Sequence, residues 1–118
     1  MSNLKQQITQ HLEKTKDFLH QSPQFDTQNL TVEQRQYKEP FGIDQMKPEQ
    51  WLSHIYIDYA LLALASEQYD VFQSIDGFTY FFEYSWRNQS HPDYVEAISL
   101  IREYEQLIKT FIAQQNKK

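Results

Sequence analysis

The stretch PEQWLSHIYIDYALLALASEQ, Pro48 to Gln68, limits what this chain can fold into more than any other. Trp51, Ile55, Tyr59 and Leu62 recur at helical spacing, and Ile57, Leu61 and Leu64 form a second stripe. A helix that is apolar on two sides has to be covered on two sides, so this segment is the expected central element. Pro48 suits its first turn, where a missing N–H leaves no hydrogen bond unmade. Glu49 and Glu67 are eighteen residues apart, five turns at about 3.6 residues per turn, and are expected to project from one exposed edge.

Two further helices flank it. The first is expected from Ser2 to about His20, with Leu4, Ile8, Leu12, Phe18 and Leu19 inward and Lys5, Lys14, Lys16 and Asp17 outward. Ser22-Pro23 ends it, because proline pushes the preceding residue out of the helical region. The last helix opens at SHPD, with Ser90 as N-cap and Asp93 at box-like spacing. Its expected buried stripe is Tyr94, Ile98, Ile101, Ile108, Phe111 and Ile112, with Asp93, Glu96 and Glu103 on a neighbouring face.

Residues 29–37 and 77–86 are open to two geometries. NLTVEQRQY reads as a short strand or as a helix capped by Thr31 with Gln34. In GFTYFFEYSW a helix continues the spacing Val71, Ile75, Phe78, Phe82, whereas a strand puts Phe78, Tyr80, Phe82, Tyr84 and Trp86 on one face. The helix is expected, with one ring face in the core and the Tyr80 and Tyr84 hydroxyls at the surface. With 118 residues, 2 Gly and 4 Pro, the fold class is mainly α, with α+β possible if 29–37 and 77–86 pair as antiparallel strands. The expectation is a single domain, 1–118, of three to five helices around an aromatic-rich core.

Sites of chemistry are few. The chain has no cysteine, which excludes disulfides and thiolate metal sites and suits a reducing compartment. The opening MSNLKQQITQHLEK lacks the apolar region of a signal peptide. No apolar run approaches the roughly 20 residues that span a bilayer. A cytoplasmic protein without membrane contact is expected. His54 and Asp58 stand one turn apart on the central segment, the spacing of a carboxylate-oriented imidazole. The plainer reading is a polar contact beside an apolar stripe. No histidine pair has the spacing that places two imidazoles on one metal. Gly42 and Gly77 alone cannot build a phosphate loop, and Asp70 and Asp76 lack the further ligands of a calcium loop. The chain is therefore expected to be neither an enzyme nor a holder of cofactors or metals.

Charge is unevenly placed. Net charge is −5, but residues 39–105 hold twelve acids against Lys47, Arg87 and Arg102, while 106–118 holds three lysines and no acid. Glu49, Asp58, Glu67, Asp70, Asp76, Glu83, Asp93, Glu96 and Glu103 are the expected members of an acidic, partner-binding face. Such a face repels nucleic acid and steers basic proteins toward it. Spaced carboxylates can also substitute for a phosphate ladder in a basic groove. The bland alternative is a solvated face with no partner.

In the MSNLKQQITQ start, the acidic middle and the KTFIAQQNKK tail, the chain resembles the small DNA-mimic proteins of Neisseria, of the type that binds the histone-like protein HU. DGFTYFF is similar to a glycine–phenylalanine–aromatic signature of another DNA-mimic family. The resemblance implies a protein that occupies the DNA-binding surface of HU and competes with DNA, and it assigns no individual binding residue. A monomer is the expected state. An immunity or antitoxin-type plug for a basic nuclease site needs the same field, and a small enzyme using His54 and Asp58 is the third alternative.

Overall fold

In the computed structural model, residues 3–116 are described; the expected start at Ser2 and the tail residues Lys117 and Lys118 lie outside them. Helix α1 (Leu4–Gln21) begins at Asn3, whose side chain accepts from the Gln6 N–H, and ends at Ser22 in extended conformation before Pro23. Ile8, Leu12, Thr15 and Leu19 form its buried stripe. The open question at 29–37 resolves to a one-turn helix, α2 (Val32–Arg35), because Thr31 and Gln34 close a reciprocal capping box that satisfies two helix-end N–H groups.

The central helix, 48–66, is not uniform. It runs as α3 (Pro48–Trp51), a π-turn at Leu52–Tyr56, then α4 (Ile57–Ser66). The Ile57 N–H reaches back to the Leu52 carbonyl, so the turn holds one extra residue. The buried face nonetheless continues through it at three- and four-residue spacing, from Glu49, Gln50 and Ser53 to Tyr56, Ile57, Ala60, Ala63 and Leu64. Leu52, Tyr56, Ile57, Ala60, Ala63 and Leu64 are buried, whereas Tyr59 and Leu62 of the expected stripe are exposed. Glu49 and Glu67 share no edge: Glu49 is buried, and Glu67 sits beyond the helix end at φ 59°.

GFTYFFEYSW is helical, as α5 (Phe78–Ser85). Gly77 precedes it at φ 86°, a conformation that glycine adopts without a Cβ penalty. Phe78 and Phe82 point inward, and Tyr80 and Tyr84 are 68% and 55% exposed. Helix α6 (Pro92–Asn116) starts one residue later than expected, from His91, whose Nδ1 accepts from the Asp93 N–H at 3.1 Å. No strand occurs among the described residues.

Pairings between elements set the topology. Lys5 meets Glu67 and Lys16 meets Asp58, so α1 runs antiparallel to α4. The His11 ring donates to the Leu100 carbonyl and Ser22 Oγ donates to Asp93, so α1 also runs antiparallel to α6. Glu105 takes the Thr79 N–H and Arg102 meets Glu83, which lays α5 antiparallel along α6. Where these helices meet, Phe78 lies 4.6 Å from the Tyr56 ring, 5.3 Å from Phe82 and 5.6 Å from Tyr104.

One polar contact is sealed inside. The Tyr56 and Tyr104 hydroxyls are hydrogen-bonded at 2.7 Å in the core. Burial pushes both phenols above their ordinary range. Tyr104→Phe is expected to cost about 1–3 kcal/mol in urea unfolding, because it strands the Tyr56 hydroxyl. The double change to Phe at both positions is expected to recover most of that loss. A double variant no more stable than Tyr104→Phe would show that the hydroxyls are not partners. Since the folded phenols resist ionisation, stability is also expected to fall as pH rises past about 10, where unfolded tyrosine ionises.

Candidate functional site

The carboxylates expected to form one acidic face meet different fates. Glu49 is only 6% exposed and lies in a cleft rather than on the surface. Asp58 pairs with Lys16 at 2.7 Å, Glu67 with Lys5 at 3.8 Å, and Asp76 and Glu83 with Lys109 and Arg102, each at 3.4 Å. Asp93 accepts from Ser22 Oγ at 2.6 Å and lies 3.9 Å from the His91 ring, and Glu103 lies 3.9 Å from His11. Asp70 and Glu96 are exposed, with no cation within 4.0 Å among the described residues. Lysines from both ends of the chain thus fold back onto the acidic middle. Exposed pairs of this kind contribute about 0–1 kcal/mol each, so an incoming lysine or arginine can displace the internal cation at little cost.

His54 and Asp58 do not form a dyad. His54 lies within the π-turn and Asp58 just after it, and their partners differ: the His54 ring donates to the Thr27 carbonyl at 2.8 Å, and Asp58 goes to Lys16. His54 therefore anchors the loop after α1. Its edge packs against the His20 ring at 5.5 Å, and His20 bonds the buried Ser53 hydroxyl at 2.6 Å. Burial, His54 and Lys16 together hold the His20 ring below the usual imidazole range. No group of three metal-ligating side chains occurs among the described residues.

The loop that His54 holds forms one wall of a cleft of about 770 Å³. The starts of α3 and α6 and the end of α5 supply the rest, and Phe25, Asp26, Lys47, Glu49, Trp86 and Tyr94 line it. The three rings pack mutually, with Phe25 5.2 Å from Trp86 and 4.8 Å from Tyr94, and Trp86 5.6 Å from Tyr94. Glu49 Oε2 accepts from the Asp26 N–H at 3.2 Å; its other oxygen has no hydrogen-bond partner among the described residues. Asp26 is itself engaged by the Lys47 ammonium at 3.4 Å. Tyr94 donates to the Gln24 carbonyl at 3.0 Å, and burial and the Glu49 carboxylate raise its phenol against the pull of Lys47. Sequence reasoning missed this cleft. Its lining comes from separate segments, and Phe25 and Asp26 fall in a stretch with no periodicity to mark them.

One family model, DUF446, described as tRNA pseudouridine synthase C, matches residues 7–107. No curated protein and no solved structure is similar enough to the chain to match it.

Proposed function

The chain belongs to the DUF446 family, and from that premise we propose that it is a non-catalytic binding protein that covers the nucleic-acid-binding surface of a basic protein with its carboxylates. The observation that carries this reading is the acidic surplus of the whole chain, net charge −5, with Asp70 and Glu96 exposed and no cation within 4.0 Å of them among the described residues. Most of the chain's acids are mounted on packed helices or their ends, where little conformational entropy remains to be lost on binding. The partner class is that of the histone-like protein HU, which the sequence resemblance implies, and the mode is competition with DNA. The internal pairs at Asp58, Glu67, Asp76 and Glu83 would be exchanged for the partner's cations, while Asp70 and Glu96 are already free to meet them.

The family's description names a tRNA pseudouridine synthase, and a second reading takes tRNA as the nucleic acid displaced and a tRNA-handling protein as the partner. Competition assays separate the two. Titrating the protein into a preformed HU–duplex complex, and into a pseudouridine synthase–tRNA complex, is expected to release nucleic acid in one case. The effect should weaken steeply between low and high salt. Asp70→Lys with Glu96→Lys should reduce it without altering the unfolding midpoint by more than about 0.5 kcal/mol. Failure to release nucleic acid from either complex at low salt would sink the proposal.

A further inference from the structure

We propose that the cleft between the post-α1 loop and the ends of α3, α5 and α6 is a binding site for an alkylammonium group, with Glu49 as its counter-charge and Phe25, Trp86 and Tyr94 as its wall. Carboxylates are rarely buried without partners, because desolvating one costs several kcal/mol unless charge and hydrogen bonds replace the lost water. Glu49 is 6% exposed overall and its one partner among the described residues is a backbone N–H at 3.2 Å, while its other oxygen keeps its access to solvent through the cleft. Its place in the first turn of α3 gives it the favourable end of the helix dipole, which offsets part of that cost. The nearby cation does not supply the rest. The Lys47 ammonium pairs with Asp26, and those two charges cancel, leaving Glu49 as the unmatched charge of the cleft.

The chemistry of the lining selects the ligand. A free carboxylate oxygen needs a donor, and two carboxylates in the cleft reject anions. Ring faces attract cations, with about 0.5–2 kcal/mol per contact. One Glu49 oxygen has no hydrogen-bond partner among the described residues, and the compact point charge of an ammonium can meet it with a single N–H. At about 770 Å³ the cleft is large enough for an alkyl chain behind the head group. The ammonium could be a lysine side chain of another protein or a free polyamine; both present the same head. The cleft is lined by neither Asp70 nor Glu96, and its binding of an amine does not depend on the partner proposed above.

Two-dimensional NMR on the whole chain tests it, with N-acetyl-lysine methylamide and spermidine as separate probes. A saturable shift of the Trp86 indole N–H and of the Asp26 and Glu49 amides is expected, with Trp51 unmoved. The neutral Nε-acetylated lysine probe is expected to leave all of them in place. Glu49→Gln is expected to weaken binding roughly tenfold or more, since hydrogen bonds to charged groups contribute about 1.5–3 kcal/mol. Tighter binding of spermidine would identify a free polyamine as the source, and tighter binding of the lysine derivative a protein side chain. Equal shifts with charged and neutral probes, or no shift with either amine, would overturn the proposal. If Glu49→Gln fails to fold, the charged-against-neutral comparison on the unaltered chain still decides. Small probes also keep the result separate from the competition assays: the cleft can bind amine when no nucleic acid is displaced, and the reverse.

Discussion

Phe82→Ala is expected to cost about 3–5 kcal/mol of folding stability, read as a drop in the urea midpoint with the slope little changed. Phe82 is fully buried, and its ring lies 5.0 Å from Phe81, 5.3 Å from Phe78, 5.3 Å from Trp86 and 6.5 Å from Trp51. Removing it takes away buried apolar area and opens a void that these stiff rings can fill only by leaving their own contacts. Native domains are stable by roughly 5–15 kcal/mol, so this single change is expected to bring the chain near unfolding at room temperature. Tyr80→Ala, two residues earlier on the same helix but largely exposed, is the control, with an expected change within about 0.5 kcal/mol. Equal losses at the two positions would mean that α5 does not present the face seen in the structure.

The second large effect lies at Glu105. Its carboxylate is 8% exposed, accepts the Thr79 N–H at 2.8 Å and meets the Lys109 ammonium at 3.0 Å. Helix α5 has no side-chain cap of its own, because Gly77 precedes it. Glu105, on α6, serves as that cap from a distance of twenty-six residues. Glu105→Ala is expected to cost about 2–3 kcal/mol, since it leaves a buried N–H without an acceptor. Burial alone would raise the Glu105 carboxyl, but the bonds from Thr79 and Lys109 outweigh it and hold the group below its usual range. Its contribution is therefore complete above the unfolded carboxyl pKa, about 4.3, and is lost as pH falls through the lower folded value. Urea midpoints from pH 7 down to 3 should converge for the native chain and Glu105→Ala. A constant gap across that range would show that the carboxylate's charge is not what holds α5.

Much of the fold could be read from the chain because it depends on local rules. The Thr31–Gln34 box, the stop at Ser22-Pro23 and the spacing of Phe78 and Phe82 each involve neighbours a turn apart, and each appears in the structure. The acidic face was harder to read. A count along the chain treats residues 39–105 as uncompensated, yet Lys5, Lys16 and Lys109 come from outside that window and sit beside Glu67, Asp58 and Asp76. The sequence points Glu49 to the surface because carboxylates usually belong there, and because a helix running from 48 through 67 aligns it with Glu67. The cleft was not legible at all. Its acid, its rings and its loop are brought together only by tertiary packing, and no spacing in the sequence connects them.

The extra residue at Leu52–Tyr56 sits in a helix whose buried face is continuous on both sides of it. Its first turn brings Glu49 to the cleft while Trp51 and Leu52 already pack on the core, and its later turns carry Ala60, Ala63 and Leu64 against its neighbours. His54 stands at the slip itself and spends its ring on the Thr27 carbonyl, which fixes the cleft wall. An unbroken helix would bring His54 and Asp58 onto one face, one turn apart. In the structure His54 goes to the loop and Asp58 to Lys16 instead, while the helix contributes to the core along both halves and lends Glu49 of its first turn to the cleft.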